Sequence, residues 1–168
     1  RRTLRSRRQV TLSLAPGFSR IETESFTLGR RIDRRATVTC RAGIDLSRTW
    51  VASADYRRGL RQIPAVRQPV FADDVQVRVR GLIGRRVDVT FTSQYTEGDP
   101  GFARSGFTTV SGQAQVRMAL NRLTALSAEY VYYRYSFAPG ADLPAGMGRE
   151  YSRHAVRAGV NLWLPLHR

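Results

Sequence analysis

The sequence has no lysine. All 28 basic residues are arginine, set against 13 acidic ones, for a formal net charge of +15. A GC-rich genome yields that bias without any function. The arginines also recur along the whole chain rather than in one stripe or tail, so the charge alone does not mark a nucleic-acid face. A single cysteine, Cys40, excludes an internal disulfide and any multi-cysteine metal site. The two histidines, His154 and His167, lie too far apart for a short-spaced metal motif and read as structural. No apolar run approaches the ~18 residues of a membrane-crossing helix. The glycines are dispersed, so no phosphate-cradling loop is present, and Asp73-Asp74 and Glu97-Gly98-Asp99 lack calcium-loop spacing. No nucleophile motif stands out. The expectation is therefore no cofactor, no metal and no enzymatic activity. The chain opens abruptly on Arg1-Arg2-Thr3-Leu4-Arg5 without an initiator Met, as a processed or excised chain does.

What is present is alternation. Helical periodicity is nearly absent and period-two patterning is pervasive, which predicts strands. Eight are expected, at about 9–18, 36–46, 50–57, 75–83, 87–95, 110–120, 124–133 and 152–164. The sixth is the cleanest: Val110, Gly112, Ala114, Val116, Met118 and Leu120 alternate with Ser111, Gln113, Gln115, Arg117 and Ala119. Pro16 cannot donate to a ladder and marks a bulge or the end of the first strand. Short turns are expected at Ser47-Arg48-Thr49, Gly84-Arg85-Arg86 and Asn121-Arg122-Leu123. Long loops are expected over 21–35, 59–74, 97–108 and 137–150.

Alternating short turns and long loops, with strands of about ten residues, is the pattern of an antiparallel up-and-down transmembrane β-barrel. Here it predicts an all-β, single-domain chain over 1–168. A soluble barrel alternates too, with its apolar face inward. Two features favour the membrane. The apolar face of the eight predicted strands carries no charge, and its aromatics fall near strand ends. Trp50 lies at a short-turn end, and Tyr56, Tyr95 and Tyr132 lie toward long-loop ends. Such amphipathic rings form the girdle of a bilayer boundary. The opposite face is predicted to line a lumen with Arg41, Arg57, Arg78, Arg80, Arg117, Arg153 and Arg157, against Asp45, Asp55, Asp88 and Glu129. Arg78 and Arg80, successive on one strand with no acid between them, are the expected unpaired cations. Loop arginines Arg58, Arg61, Arg67, Arg104 and Arg149 form a solvated rim able to meet lipopolysaccharide phosphates.

The segment Arg157-Ala158-Gly159-Val160-Asn161-Leu162-Trp163-Leu164 resembles the C-terminal assembly signal of outer-membrane barrels, matching at Arg157, Gly159, Leu162 and Leu164. It has Leu where aromatics are usual and continues into Pro165-Leu166-His167-Arg168. Together with Ser47-Arg48-Thr49-Trp50 before a strand ending Tyr56-Arg57-Arg58-Gly59-Leu60, the pattern resembles porin-like barrels of Gram-negative bacteria over about residues 8–165. The resemblance implies an outer-membrane location, outer-membrane lipids and lipopolysaccharide as surroundings, the barrel-assembly machinery as partner, and a porin-like or structural role. An association with polysaccharide export is the alternative within that class.

Two other classes are weighed. A soluble basic β-protein binding nucleic acid needs aromatics interleaved with arginine on one face, whereas the aromatics here fall mainly on the uncharged face. An outer-membrane lipase or protease needs a Ser or Asp beside a His at a strand top. His154 is the sole candidate, and no partner for it is evident in the sequence. The basic Arg1–Arg8 stretch reads like one more short turn, as if the eight strands were the C-terminal part of a larger barrel.

Overall fold

The computed structural model describes residues 9–25, 29–62, 69–99, 106–139 and 148–162. Eight strands run in chain order: β1 (Val10–Ser25), β2 (Gly29–Asp45), β3 (Trp50–Gln62), β4 (Pro69–Ile83), β5 (Val87–Asp99), β6 (Phe107–Ala119), β7 (Thr124–Phe137) and β8 (Glu150–Leu162). Each pairs antiparallel with the next in one meandering sheet, and there is no helix among the described residues. No helix is long and apolar enough to cross a membrane, a statement that does not bear on strands.

The short turns stand where the pattern predicts them. In the β2–β3 turn the Leu46 amide donates to the Trp50 carbonyl at 2.9 Å, and the Thr49 amide donates to Ser47 Oγ at 3.3 Å. Gly84 takes φ of 65° between β4 and β5, a conformation that excludes most side chains. Between β6 and β7, Asn121 Oδ1 accepts the Leu123 amide at 2.8 Å, the short-range side-chain bond that makes Asn a turn former. Trp50 lies across its β4 partner Gly81, where any β-carbon would collide with the indole.

Three expectations are corrected. The segment 21–35 is not a long loop. β1 continues to Ser25 and β2 begins at Gly29, in unbroken register from Val10↔Ile44 to Ser25↔Gly29. The loops expected over 59–74, 97–108 and 137–150 likewise begin and end inside strands, because β3 to β8 all extend toward that side. Pro16 neither bulges nor ends β1. It sits opposite Val38 in a strand at the sheet edge, the place where a missing amide donor is tolerated. Finally, the sheet is not closed: β1 and β8 are its two edges, not each other's partners.

Among the described residues no second layer covers this open sheet. The accessible surface is 13593 Å², against roughly 8,400 Å² for a globular protein of this mass. Among the described residues, the buried apolar side chains are only Val70, Phe71, Ala72, Phe107 and Ala125. Exposure of the apolar face rises toward the edges. Val77 and Val116 in the interior are 41% and 43% exposed, whereas Leu12 in β1 and Val156 in β8 are 75% and 78% exposed.

Candidate functional site

Register carries the alternation of single strands across the whole sheet. One face presents Val77, Phe91, Ala114, Tyr130 and Val156. The other presents Arg80, Thr90, Gln115, Glu129 and Arg157, which lie in one cross-strand row. These are called the apolar face and the arginine face.

The apolar face ends on a line. Its last apolar residues before the first polar or charged one toward the long loops are Phe18, Ala36, Tyr56, Val75, Tyr95, Val110, Tyr132 and Val156, and beyond that break Ile32, Leu60 and the buried Phe71 return to the same face. Phe18 pairs with Ala36, and Tyr56, Val75, Tyr95 and Val110 are successive cross-strand partners. One step further along the same face the residues are Arg20, Arg34, Arg58, Asp73, Glu97, Thr108, Arg134 and His154. Two of the three tyrosines expected to mark a boundary, Tyr56 and Tyr95, bridge that line with their hydroxyls. Tyr56 donates to Asp73 at 2.6 Å and Tyr95 to Glu97 at 3.1 Å. Tyr130 shares a 2.7 Å bond with His154 Nδ1, and the Tyr132 ring lies 4.9 Å from the His154 ring, centroid to centroid. Trp50 marks the opposite, short-turn end.

Beyond that line the arginine face turns apolar and aromatic in β4 to β8, while in β1 to β3 it keeps Ser19, Arg35 and Arg61. Its rows there are Ala72–Gly98–Phe107–Phe137 and Asp74–Thr96–Thr109–Tyr135–Tyr151. Val70, Ala72 and Phe107 form the buried cluster, with Phe137 packed on it. Phe107 also lies over Gly98, where a β-carbon would strike its ring. Tyr133, Tyr135, Phe137 and Tyr151 make a ladder of rings, with centroids 5.4 to 5.9 Å apart. The arginine face therefore carries aromatics at this end, which the pattern of single strands did not foretell.

Along the rest of the arginine face, cations meet acids across strands. Arg41 pairs with Asp55. Asp88 lies between Arg80 at 2.9 Å and Arg117 at 3.5 Å. Glu129 accepts Gln113 Nε2 at 2.6 Å and stands 3.9 Å from Arg157. Asp74, 6% exposed, is held by Thr96 at 2.5 Å, Arg61 at 2.6 Å and Gln94 at 3.3 Å. The expectation for Arg80 is thereby corrected. The acid that serves it is Asp88 on the next strand, a diagonal neighbour invisible within β4 itself. Arg57, Arg78 and Arg153 lie on the same face without an ion pair among the described residues.

Other sequence-derived candidates scatter. Gly159 accepts the Ser127 hydroxyl at 3.2 Å and Leu162 ends β8 on the apolar face, whereas Trp163 and Leu164 lie outside the described residues. Arg58 and Arg61 belong to β3 rather than a loop. Arg58 sits over the Phe71 ring at 5.5 Å, and Arg67 and Arg104 lie outside the described residues. Asp74 shows in the sequence only as part of an acidic cluster, and Gln94, Thr96 and Gln113 carry no signal of a role within their own strands. No cluster of potential metal ligands occurs among the described residues. No family model, curated protein or solved structure matches this chain.

Proposed function

We propose that this chain is a membrane-spanning β-barrel of a Gram-negative outer membrane, with its apolar face toward lipid and its arginine face toward a lumen. The observation that carries the reading is the reversal of polarity along the strands. A sheet in one solvent keeps its apolar residues on one face. Here Val70 and Ala72 of β4, Phe107 of β6 and Phe137 of β7 lie beyond the line on the face opposite to the apolar residues of the same strands, which favours two different surroundings along those strands. On the lipid-facing stretch, Val75–Ile83 supplies nine residues. At about 3.4 Å each and a tilt of about 40°, they rise about 23 Å, close to the ~25 Å apolar band of such barrels. Beyond the line the sheet has a small buried apolar cluster on one face, and the other carries Arg58, Asp73, Glu97 and Arg134 around Leu60 and Phe71, a mixed surface suited to water.

Closure belongs to the same proposal. Eight is an even number, so β1 and β8 run antiparallel and can pair. Pairing would cover the two edges where apolar exposure is highest and remove two long unpaired strand edges. A barrel closed on eight strands has an interior about filled by side chains, which favours a structural role over a wide pore. Its seven lumen arginines exceed the four lumen acids, so any ions admitted would be anions.

Cysteine scanning tests the orientation. In a Cys40→Ser background, single cysteines at Val77, Val116 and Val160 are expected to react with a lipid-confined reagent. Cysteines at Arg78, Gln115 and Arg157 are expected to react only with a water-borne one. Equal labelling of both sets refutes the assignment.

A second reading has its own observation. The ladder of Tyr133, Tyr135, Phe137 and Tyr151 offers flat amphipathic rings on the lumen side. Sugar rings stack on such surfaces, which favours an association with a polysaccharide. Titration with soluble oligosaccharides should then change tyrosine fluorescence in the native chain and leave a Tyr133→Ala, Tyr151→Ala variant unchanged. An identical response from both chains removes this reading.

A further inference from the structure

On the apolar face, just inside the boundary line, a groove of about 670 Å³ runs between β5 and β8. Its floor is Gly112 and Ala114 of β6, and its walls are Phe91 on one side and Tyr130 and Tyr132 on the other. The small floor residues make the depression. A β-carbon at Gly112 would meet no atom within 4 Å, so the space above it is empty rather than filled by a neighbour. At the mouth stand Arg134, Glu150 and His154, on the charged side of the boundary. Arg134 Nη2 lies 3.4 Å from Glu150 Oε2, and the two side chains are 52% and 65% exposed. One guanidinium nitrogen is engaged there, and the planar fork has further donors for a second anion.

We propose that this groove seats one acyl chain of a phosphorylated lipid, with the lipid's phosphate bound by Arg134 at the mouth. The inference rests on the membrane reading above and names a site within it. The long-loop side of a Gram-negative outer membrane is its outer leaflet, so the occupant is lipid A, whose phosphate sits on an acylated sugar. The chemistry is complementary at both ends. An apolar trough with an aromatic wall on each side suits a chain, and a guanidinium at headgroup level suits a phosphate, which it binds bidentately. His154, anchored through Nδ1 by Tyr130, keeps Nε2 for the same headgroup. Glu150 is the restraining element: it holds Arg134 at the mouth and competes with the phosphate for it.

The test is native mass spectrometry of the full chain in detergent with added bis-phosphorylated lipid A, run beside a heat-modifiable gel-mobility assay of insertion. Wild type is expected to retain lipid A through washing. Gly112→Phe places its β-carbon in open space and its ring in the trough, and Phe suits a strand, so it should insert normally and retain about tenfold less. Arg134→Gln should also lose about tenfold, the scale of one charge-assisted hydrogen bond, and dephosphorylated lipid should match that loss on wild type. Glu150→Gln should retain lipid A at least as well as wild type. Equal retention by wild type and Gly112→Phe overturns the groove. Preferred retention of phosphatidylethanolamine, lost in Glu150→Gln, overturns the choice of occupant, since a carboxylate would then be reading an ammonium. Failure of wild type to show heat-modifiable insertion overturns the membrane reading and this proposal with it.

Discussion

Val116→Arg is expected to destabilise the membrane-inserted protein by about 2–4 kcal/mol, the cost of an arginine facing lipid near the bilayer midplane. Val116 lies on the apolar face of β6, eight residues from Thr108, which stands on the charged side of the boundary line. Gln115→Arg, one residue away, is expected to be nearly neutral. Its side chain belongs to the row of Arg80, Thr90 and Glu129, where polar and charged side chains are the neighbours. Thr108→Arg, on the same face as Val116 but beyond the line, should cost less than about 1 kcal/mol. Urea titrations in bilayers would rank the three. The proposal requires both contrasts: between faces at one depth, and between depths on one face. If Val116→Arg and Thr108→Arg unfold at the same urea concentration, the apolar face does not pass through hydrocarbon.

Phe107→Ala is expected to cost about 3–5 kcal/mol, the range for deleting a buried aromatic ring. Phe107 is 6% exposed, lies over Gly98 and packs with Val70, Ala72 and Phe137 in the one buried apolar cluster among the described residues. Phe107→Leu keeps most of the volume and should cost roughly 1 kcal/mol. Limited proteolysis at the long-loop end, with urea unfolding beside it, reads both variants. The cluster lies beyond the apolar band, so its loss should loosen the strand extensions first and leave labelling at Val116 unchanged. Should Phe107→Ala cost less than about 0.5 kcal/mol, as a surface substitution does, the extensions are not held by that cluster.

Much of this architecture is legible in the sequence because side-chain direction in a strand depends only on parity. Val110, Ala114 and Val116 against Gln113, Gln115 and Arg117 are assigned to opposite faces by counting alone. Asn121 and Gly84 announce turns through their own local chemistry. Parity also located seven arginines on one face and Trp50, Tyr56, Tyr95 and Tyr132 on the other. The same logic explains the misses. A search for apolar residues on one parity stops where the apolar residues change parity. That hides the starts at Pro69 and Phe107, while charged residues such as Arg20, Arg34, Arg58 and Glu97 interrupt the alternation before the strand ends at Ser25, Gln62 and Asp99 and after the start at Gly29.

What the sequence by itself determined is the all-β meander, its strand count, its short turns and the face of each residue within its strand. Those features rest on interactions between residues a few positions apart. Tertiary structure alone decided which residues of different strands stand side by side. It joined Asp88 to Arg80 and Arg117, and Asp74 to Arg61, Gln94 and Thr96. It also set Tyr56, Val75, Tyr95 and Val110 in one cross-strand row and left β1 and β8 as open edges. The physical reason is register. Pairing between strands is set by the summed fit of every cross-strand pair, and a slip of one residue reverses every face, so no single strand encodes its partners.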